Sequence, residues 1–233
     1  IAEDHLRILR YYRFQARFGA ELDQKAEEAC AAMAGTLKGL SRERIAYELL
    51  KLLDLPDPHA TLSRMQKQGV LPVILPATCA AYIDQLKKVI AAEADQGVER
   101  SAIRRLAALL PSSPDVAEAS AASLRLSKAQ RARLVSAAER QADDASNPKA
   151  LAYSIGIEFA TDRLLLLGED AKQVAGFTPP RFPLKGGQIV ARGVAAGPEV
   201  ARLMLTVEKR WVAEGFPDRE RVSAMLDEAL RQV

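Results

Sequence analysis

Asp4 and Arg7 stand three residues apart in the stretch from Ile1 to Phe18, where Arg7, Arg10, Arg13 and Arg17 recur at steps of three and four. Wound as a helix, this stretch puts the four arginines in one row, with Leu6, Leu9 and Phe14 around the other side. An Asp and an Arg at that spacing lie side by side and present an acceptor next to a forked donor. Such a pair can read a base edge. Cytosine and adenine both offer an amino donor beside a ring-nitrogen acceptor. Guanine and uracil put a carbonyl where the carboxylate needs a donor, and two opposed acceptors cost about 1–3 kcal/mol. The pair therefore accepts C and A and rejects G and U. The same residues also suit a plain helix start, in which Glu3 and Asp4 favour the positive end of the dipole and Arg7 is their ion-pair partner.

The elements that must hold this helix follow at once. A second helix is expected from near Glu21 to Ala34, ending around Gly35 and Gly39. Ser41 is the expected N-cap of a third, with Glu43 in its first turn and Ile45, Leu49, Leu52 and Leu53 at core spacing, until Leu55-Pro56 stops it. Together they form a neck unit over residues 1–58.

A helical body is expected over 59–170. His59 to Gly69 reads as a short helix ended by glycine, and Val70 to Pro76 as a packed connector with too many prolines for a central strand. Helices follow at Thr78–Ala94, Ser101–Leu110 and Asp115–Ser123. Ser127 with Gln130 makes a capping-box pattern opening a helix to about Asp143, with Leu134 and Ala138 inward and Arg131, Arg133 and Arg140 outward. Asn147-Pro148 then starts a helix that can reach Leu167, its run of four leucines serving as core.

The tail, 171–233, begins with a proline-stiffened linker from Phe177 to Pro183. A short helix from about Gly186 to Arg192, a glycine turn, a helix opened by Pro198 and a last one from Asp218 complete it. Two short helices around a glycine turn can offer backbone N–H groups to a phosphate, with Lys185 and Arg192 adding charge; a plain hairpin fits equally. Trp211 is assigned to the core.

Composition points the same way. Hydrophobic residues make up 48% of the 233 but aromatics only 5%, which suits packed helices, so the class is all-α, an elongated array of short helices. A net charge of +3 does not by itself demand nucleic acid; clustering of arginines would matter, because each neutralised phosphate adds counterion-release affinity. The first helix and Arg125 to Arg140 show it. Cys30 and Cys79 are expected as buried free thiols in a reducing compartment, and neither they nor His5 and His59 make a metal pattern. Asp143-Asp144 is no metal site either, since adjacent helix residues point about 100° apart. No apolar run approaches the roughly 20 residues that span a bilayer, so no membrane and a cytoplasmic location are expected.

The string Glu-Asp-x-x-Arg-Ile-Leu-Arg-x-x-Arg-Phe over residues 3–14 resembles the neck of the bacterial class II tRNA nucleotidyltransferase and poly(A) polymerase family, as do Leu40 to Ile45 and Glu48 to Leu53. Phe182 to Gly187, Gly193, Gly197-Pro198 and Glu208 to Trp211 look like that family's tail, with Gln188 standing where many relatives carry an aspartate. The resemblance implies that Asp4 and Arg7 form the amino-acid template that selects CTP and ATP, supported by Glu3 and Arg10. It implies RNA contacts for Arg13, Arg44, Lys51, Lys185 and Arg192, the partner being tRNA at its 3′ end and elbow. For Arg42, Arg44 and Lys51 a solvated helix face is the other reading. The family's catalytic head carries an Asp-x-Asp metal pair, and these 233 residues contain none. Mg²⁺ and the nucleotide triphosphates would then belong to a head that this stretch lacks, and the stretch alone would be inactive. The Asp–Arg pair does not separate a CCA-adding enzyme from a poly(A) polymerase, and a non-catalytic helical RNA-binding module or scaffold stays open.

Overall fold

Small polar side chains set where the helices begin. Asp23, Ser41, Ser101, Ser127, Asn147 and Asp218 each accept a hydrogen bond from the backbone N–H three residues on, satisfying a donor that has no partner inside the helix. At Ser127 the bond is reciprocal: Gln130 Oε1 accepts from the Ser127 N–H at 3.0 Å, completing the expected capping box.

The computed structural model describes residues 5–19 and 23–231. Among them every regular element is helical, in keeping with the all-α expectation. The helices are α1 Leu6–Phe18, α2 Gln24–Ala32, α3 Arg42–Leu53, α4 His59–Lys67, α5 Val70–Ile74, α6 Ala80–Gln96 and α7 Ala102–Ala108. Then follow α8 Pro114–Ser123, α9 Lys128–Ala138, α10 Pro148–Ile155, α11 Ile157–Leu167, α12 Gly186–Val190, α13 Pro198–Ala213 and α14 Arg219–Leu230, with 3₁₀ turns at Ala34–Gly39, Ala142–Ser146 and Ala171–Val174. The expected second-helix start at Glu21 lies outside the described residues.

Two compact units result, one of Ile1–Ala145 with Thr161–Lys172, the other of Ser146–Ala160 with Gln173–Val233. The first has one continuous core. Leu6, Ile8, Leu9 and Tyr12 of α1 pack with Ile45, Leu49, Leu52 and Leu53 of α3 and with Leu62 and Met65 of α4. Full burial of such a side chain contributes about 1.5–3 kcal/mol, so this seam fixes α1 against α3. A polar clasp adds to it. Glu27 of α2 accepts from Gln68 Nε2 at 2.7 Å and from Arg64 Nε at 3.0 Å, while Gln68 takes the Tyr12 hydroxyl and Arg64 reaches Gln15 at 2.5 Å. Burial, helped by the Cys30 and Glu27 charges, pushes the Tyr12 phenol above its usual range and keeps it a donor.

Deeper in this unit lies a buried ionic cluster. Glu93 of α6 holds Arg104 at 2.7 Å and Arg105 at 2.8 Å, and Asp162 of α11 holds Arg104 at 2.8 Å and Arg133 at 2.6 Å. Arg105 also donates to the Leu53 carbonyl at 2.8 Å and to that of Leu55, closing the C-terminal end of α3. Buried charges persist only when paired and bonded in this way.

The second unit is built around Trp211, which is 2% exposed and donates to the Pro217 carbonyl at 2.7 Å. Tyr153, Phe182 and Phe216 surround it with ring centroids 5.0–5.7 Å away. Ile189 of α12, Leu203 and Val207 of α13 and Val222, Met225 and Leu226 of α14 complete that core.

Several sequence expectations need correction. Phe14 is 45% exposed and belongs to the solvent side of α1, because Leu6, Ile8, Leu9 and Tyr12 already fill the inward face. Arg133 is drawn inward by the buried Asp162 carboxylate. Helix α9 stops at Ala138, five residues before Asp143. The helix expected from Pro148 to Leu167 is broken at Gly156, whose φ of 89° is left-handed territory that other residues avoid. Val70 to Ile74 is packed as expected but is helical. Cys79 is exposed, while Cys30 is buried.

Candidate functional site

Helix α1 carries the row of arginines, and the structure divides that row. Arg10 Nε and Arg13 Nε bind the two oxygens of Glu48 on α3, at 3.2 Å and 2.7 Å. Glu48 itself is buried, so the two guanidinium groups fasten α1 to α3 through one shared carboxylate. Arg7, one turn earlier, is exposed. Glu3 and Asp4 lie outside the described residues, so the geometry of the expected base-reading pair is given only on its Arg7 side. Arg17 is exposed near the C-terminal end of α1, and Phe14 and Phe18 stack beside Arg13 and Arg17 with ring centroids 6.1 Å apart.

Helix α3 presents a second basic edge. Arg44 and Lys51 are exposed, with the exposed ring of Tyr47 between them and the Lys51 ammonium 5.8 Å from its centroid. At the start of the helix the Ser41 hydroxyl accepts from the Arg44 N–H. Glu43 is bound by Arg125 at 2.6 Å, and this charged hydrogen bond pulls its carboxyl down to about 2. Arg125 is thereby tied to Glu43, and Arg131 to Glu118, two members of the arginine cluster noted in the sequence.

In the second unit Lys185 is exposed just ahead of α12, and its N–H donates to Gln188 Oε1 at 2.8 Å. Gln188 thus supplies the reach-back half of a helix cap. Arg192 is turned toward α14, bonding the Ser223 hydroxyl at 2.6 Å and Asp227 at 2.9 Å. Asp144 pairs with Arg163 and accepts from the Gln141 N–H, and no three His, Cys, Asp or Glu side chains among the described residues converge as metal ligands.

Sequence reasoning brought Arg10 and Arg13 to one face but missed what they hold. Glu48 was legible only as part of a helix string, and its role depends on a partner 35 and 38 residues away. Tyr47 was missed as well; an aromatic between Arg44 and Lys51 at helical spacing was the available signal.

Residues 19–82 match the family model described as "Probable RNA and SrmB- binding site of polymerase A", which takes in α2 to α5 and the start of α6. The mitochondrial CCA tRNA nucleotidyltransferase 1 of Mus musculus is 29% identical over 93% of this chain. The chain spans 53% of that relative's length. A solved CCA-adding enzyme complexed with ATP superposes with a TM-score of 0.72 at 16% identity, covering 98% of this chain and 61% of its own. The Thermotoga maritima CCA-adding enzyme complexed with tRNA gives 0.70 at 16% identity, covering 99% and 62%. At that identity the two solved structures speak for the fold. The family model and the relative thus show a likeness in sequence to these proteins, and the solved structures a shared fold.

Proposed function

We propose that this chain is the RNA-binding and nucleotide-selecting portion of a nucleotidyltransferase that adds CCA to tRNA 3′ ends. The observation that carries the reading is the anchoring of α1: Arg10 and Arg13 both bind Glu48, which fastens to α3 the helix on which Arg7 is exposed. A group that reads a base edge must be held in this way, because hydrogen-bond discrimination is lost when donor and acceptor drift. Likeness to a CCA tRNA nucleotidyltransferase over nearly the whole chain supports it.

In this reading Asp4 and Arg7 offer an acceptor and a fork to the incoming base, accepting CTP and ATP. Glu3 and Arg10 support the template helix. Arg13, Arg44 and Lys51 serve the RNA 3′ end, Arg13 through the seam it shares with Glu48. Lys185 and Arg192 lie on the tail, where the tRNA elbow would rest. Residues 1–58, 59–170 and 171–233 act as neck, body and tail. Any Mg²⁺ would be held by a catalytic segment other than the described residues.

The description of the matching family model favours a second reading, a poly(A) polymerase. Incorporation on tRNA lacking its CCA end separates the two, using a polypeptide that joins this chain to a catalytic segment. Addition from both CTP and ATP supports CCA synthesis; addition from ATP alone supports polyadenylation; addition from GTP or UTP at equal rates overturns the Asp4–Arg7 template.

A further inference from the structure

Two surface recesses in the first unit meet at one side chain. The first, about 230 Å³, is lined by Leu6 and Arg10 of α1 and by Glu43, Arg44, Tyr47 and Glu48. The second, about 300 Å³, lies on the other side of Tyr47, against Leu50, Lys51, Asp54 and Ile103. Tyr47 forms the ridge between them and is 58% exposed, its ring open to solvent. Arg44, three residues before it, and Lys51, four after it, flank the ring on the same helical face.

We infer that Tyr47 is a stacking platform for an unpaired base of the RNA strand, with Arg44 and Lys51 placed for the phosphates on either side of that nucleotide. The inference rests on the RNA-binding reading above and adds a residue and a contact type to it. Charge complementarity decides the occupant: an exposed ring between two cations suits a polyanion whose units carry flat faces, and every base has one. Position agrees with this. Leu6 and Arg10, which line the first recess, stand one residue before and three after Arg7 on α1, so the helix that bears the proposed base-selecting residue also lines the recess beside Tyr47. Helix α3 also falls inside the segment that matches the RNA-binding family model.

The test uses the 233-residue chain and a 5′-labelled single-stranded RNA of mixed sequence, followed by fluorescence anisotropy. Replacing one stacked base by alanine substitution of its platform costs about 1–3 kcal/mol, so Tyr47→Ala is expected to weaken binding about 5- to 150-fold. Tyr47→Phe should stay within about twofold, since it keeps the ring. The salt slope should not change, because the ring neutralises no phosphate. An RNA of the same length made wholly of abasic residues should bind wild type and Tyr47→Ala alike. A circular dichroism melt checks that Tyr47→Ala is folded, as expected for an exposed side chain. If wild type and Tyr47→Ala bind ordinary RNA equally while Lys51→Ala weakens it, the platform is overturned and the RNA-binding reading stands. If wild type binds no RNA at all, the reading beneath falls and the platform with it. Binding of a protein or acidic peptide at Tyr47 with no base dependence would overturn the platform too.

Discussion

Arg13 donates to Glu48 Oε2 at 2.7 Å across the seam between α1 and α3, while Arg10 takes the other oxygen of the same carboxylate. One buried acid thus orients two turns of the helix that bears Arg7. Removing it should loosen α1 before anything else.

Glu48→Ala is expected to cost about 1.5–3 kcal/mol, the range for hydrogen bonds to charged groups. A urea titration followed by circular dichroism measures it. Glu48→Gln keeps the shape and one acceptor and should cost less. A loss below about 0.5 kcal/mol for Glu48→Ala would mean that the hydrophobic seam alone holds α1.

The buried cluster and the surface pairs should separate cleanly. Arg105→Met leaves Glu93 with one cation fewer and strips the carbonyls of Leu53 and Leu55 of their donor, so about 3 kcal/mol is expected. Arg131→Ala removes an exposed pair with Glu118 and should change stability by less than about 1 kcal/mol. Equal effects in denaturant titrations would contradict the burial argument.

Alkaline pH should weaken the second unit through Tyr153. Burial first, and then the 2.6 Å bond to Glu208, push its phenol from 10.0 up to about 12. The unfolded chain therefore releases this proton before the folded one does. The stability that Tyr153 contributes is full below pH 10.0 and falls away as pH rises toward about 12. Trp211 is the single tryptophan and packs edge-on against Tyr153, so its fluorescence reports the loss. In Tyr153→Phe that part of the alkaline fall should vanish.

Base choice should respond to Arg7. In a polypeptide joining this chain to a catalytic segment, Arg7→Ala should relax selection among the four triphosphates more than it weakens tRNA binding. The change sits at the position proposed to meet the base edge, where an unpaired donor or acceptor costs about 1–3 kcal/mol. Unchanged selectivity would remove Arg7 from the template.

The legible features were local ones. Caps at Ser41 and Ser127, the stop before Pro56 and the opening at Pro198 each depend on neighbours within four residues, and the structure has them. The burial of Trp211 was also readable. Side chains whose direction depends on distant partners were not. Arg133 reads as outward by helical phase, yet Asp162, 29 residues on, draws it in. Phe14 shares apolar character with Leu6 and Leu9, but α1 had no inward space left for it. Gly156 falls inside the helix expected from Pro148 to Leu167, and its left-handed backbone breaks that helix. At the candidate site, helix and arginine row were visible in the sequence, whereas Glu48 as shared anchor and Tyr47 as exposed ridge required the packing of α1 on α3.

The most direct test of the central proposal is tRNA binding by the 233-residue chain, read by fluorescence anisotropy across a salt series, with a single-stranded RNA of equal length as competitor. The tRNA reading predicts tighter binding of tRNA lacking CCA than of the single strand, with affinity falling steeply as salt rises. Equal binding of both would contradict tRNA recognition, and negligible binding of both would contradict RNA binding altogether.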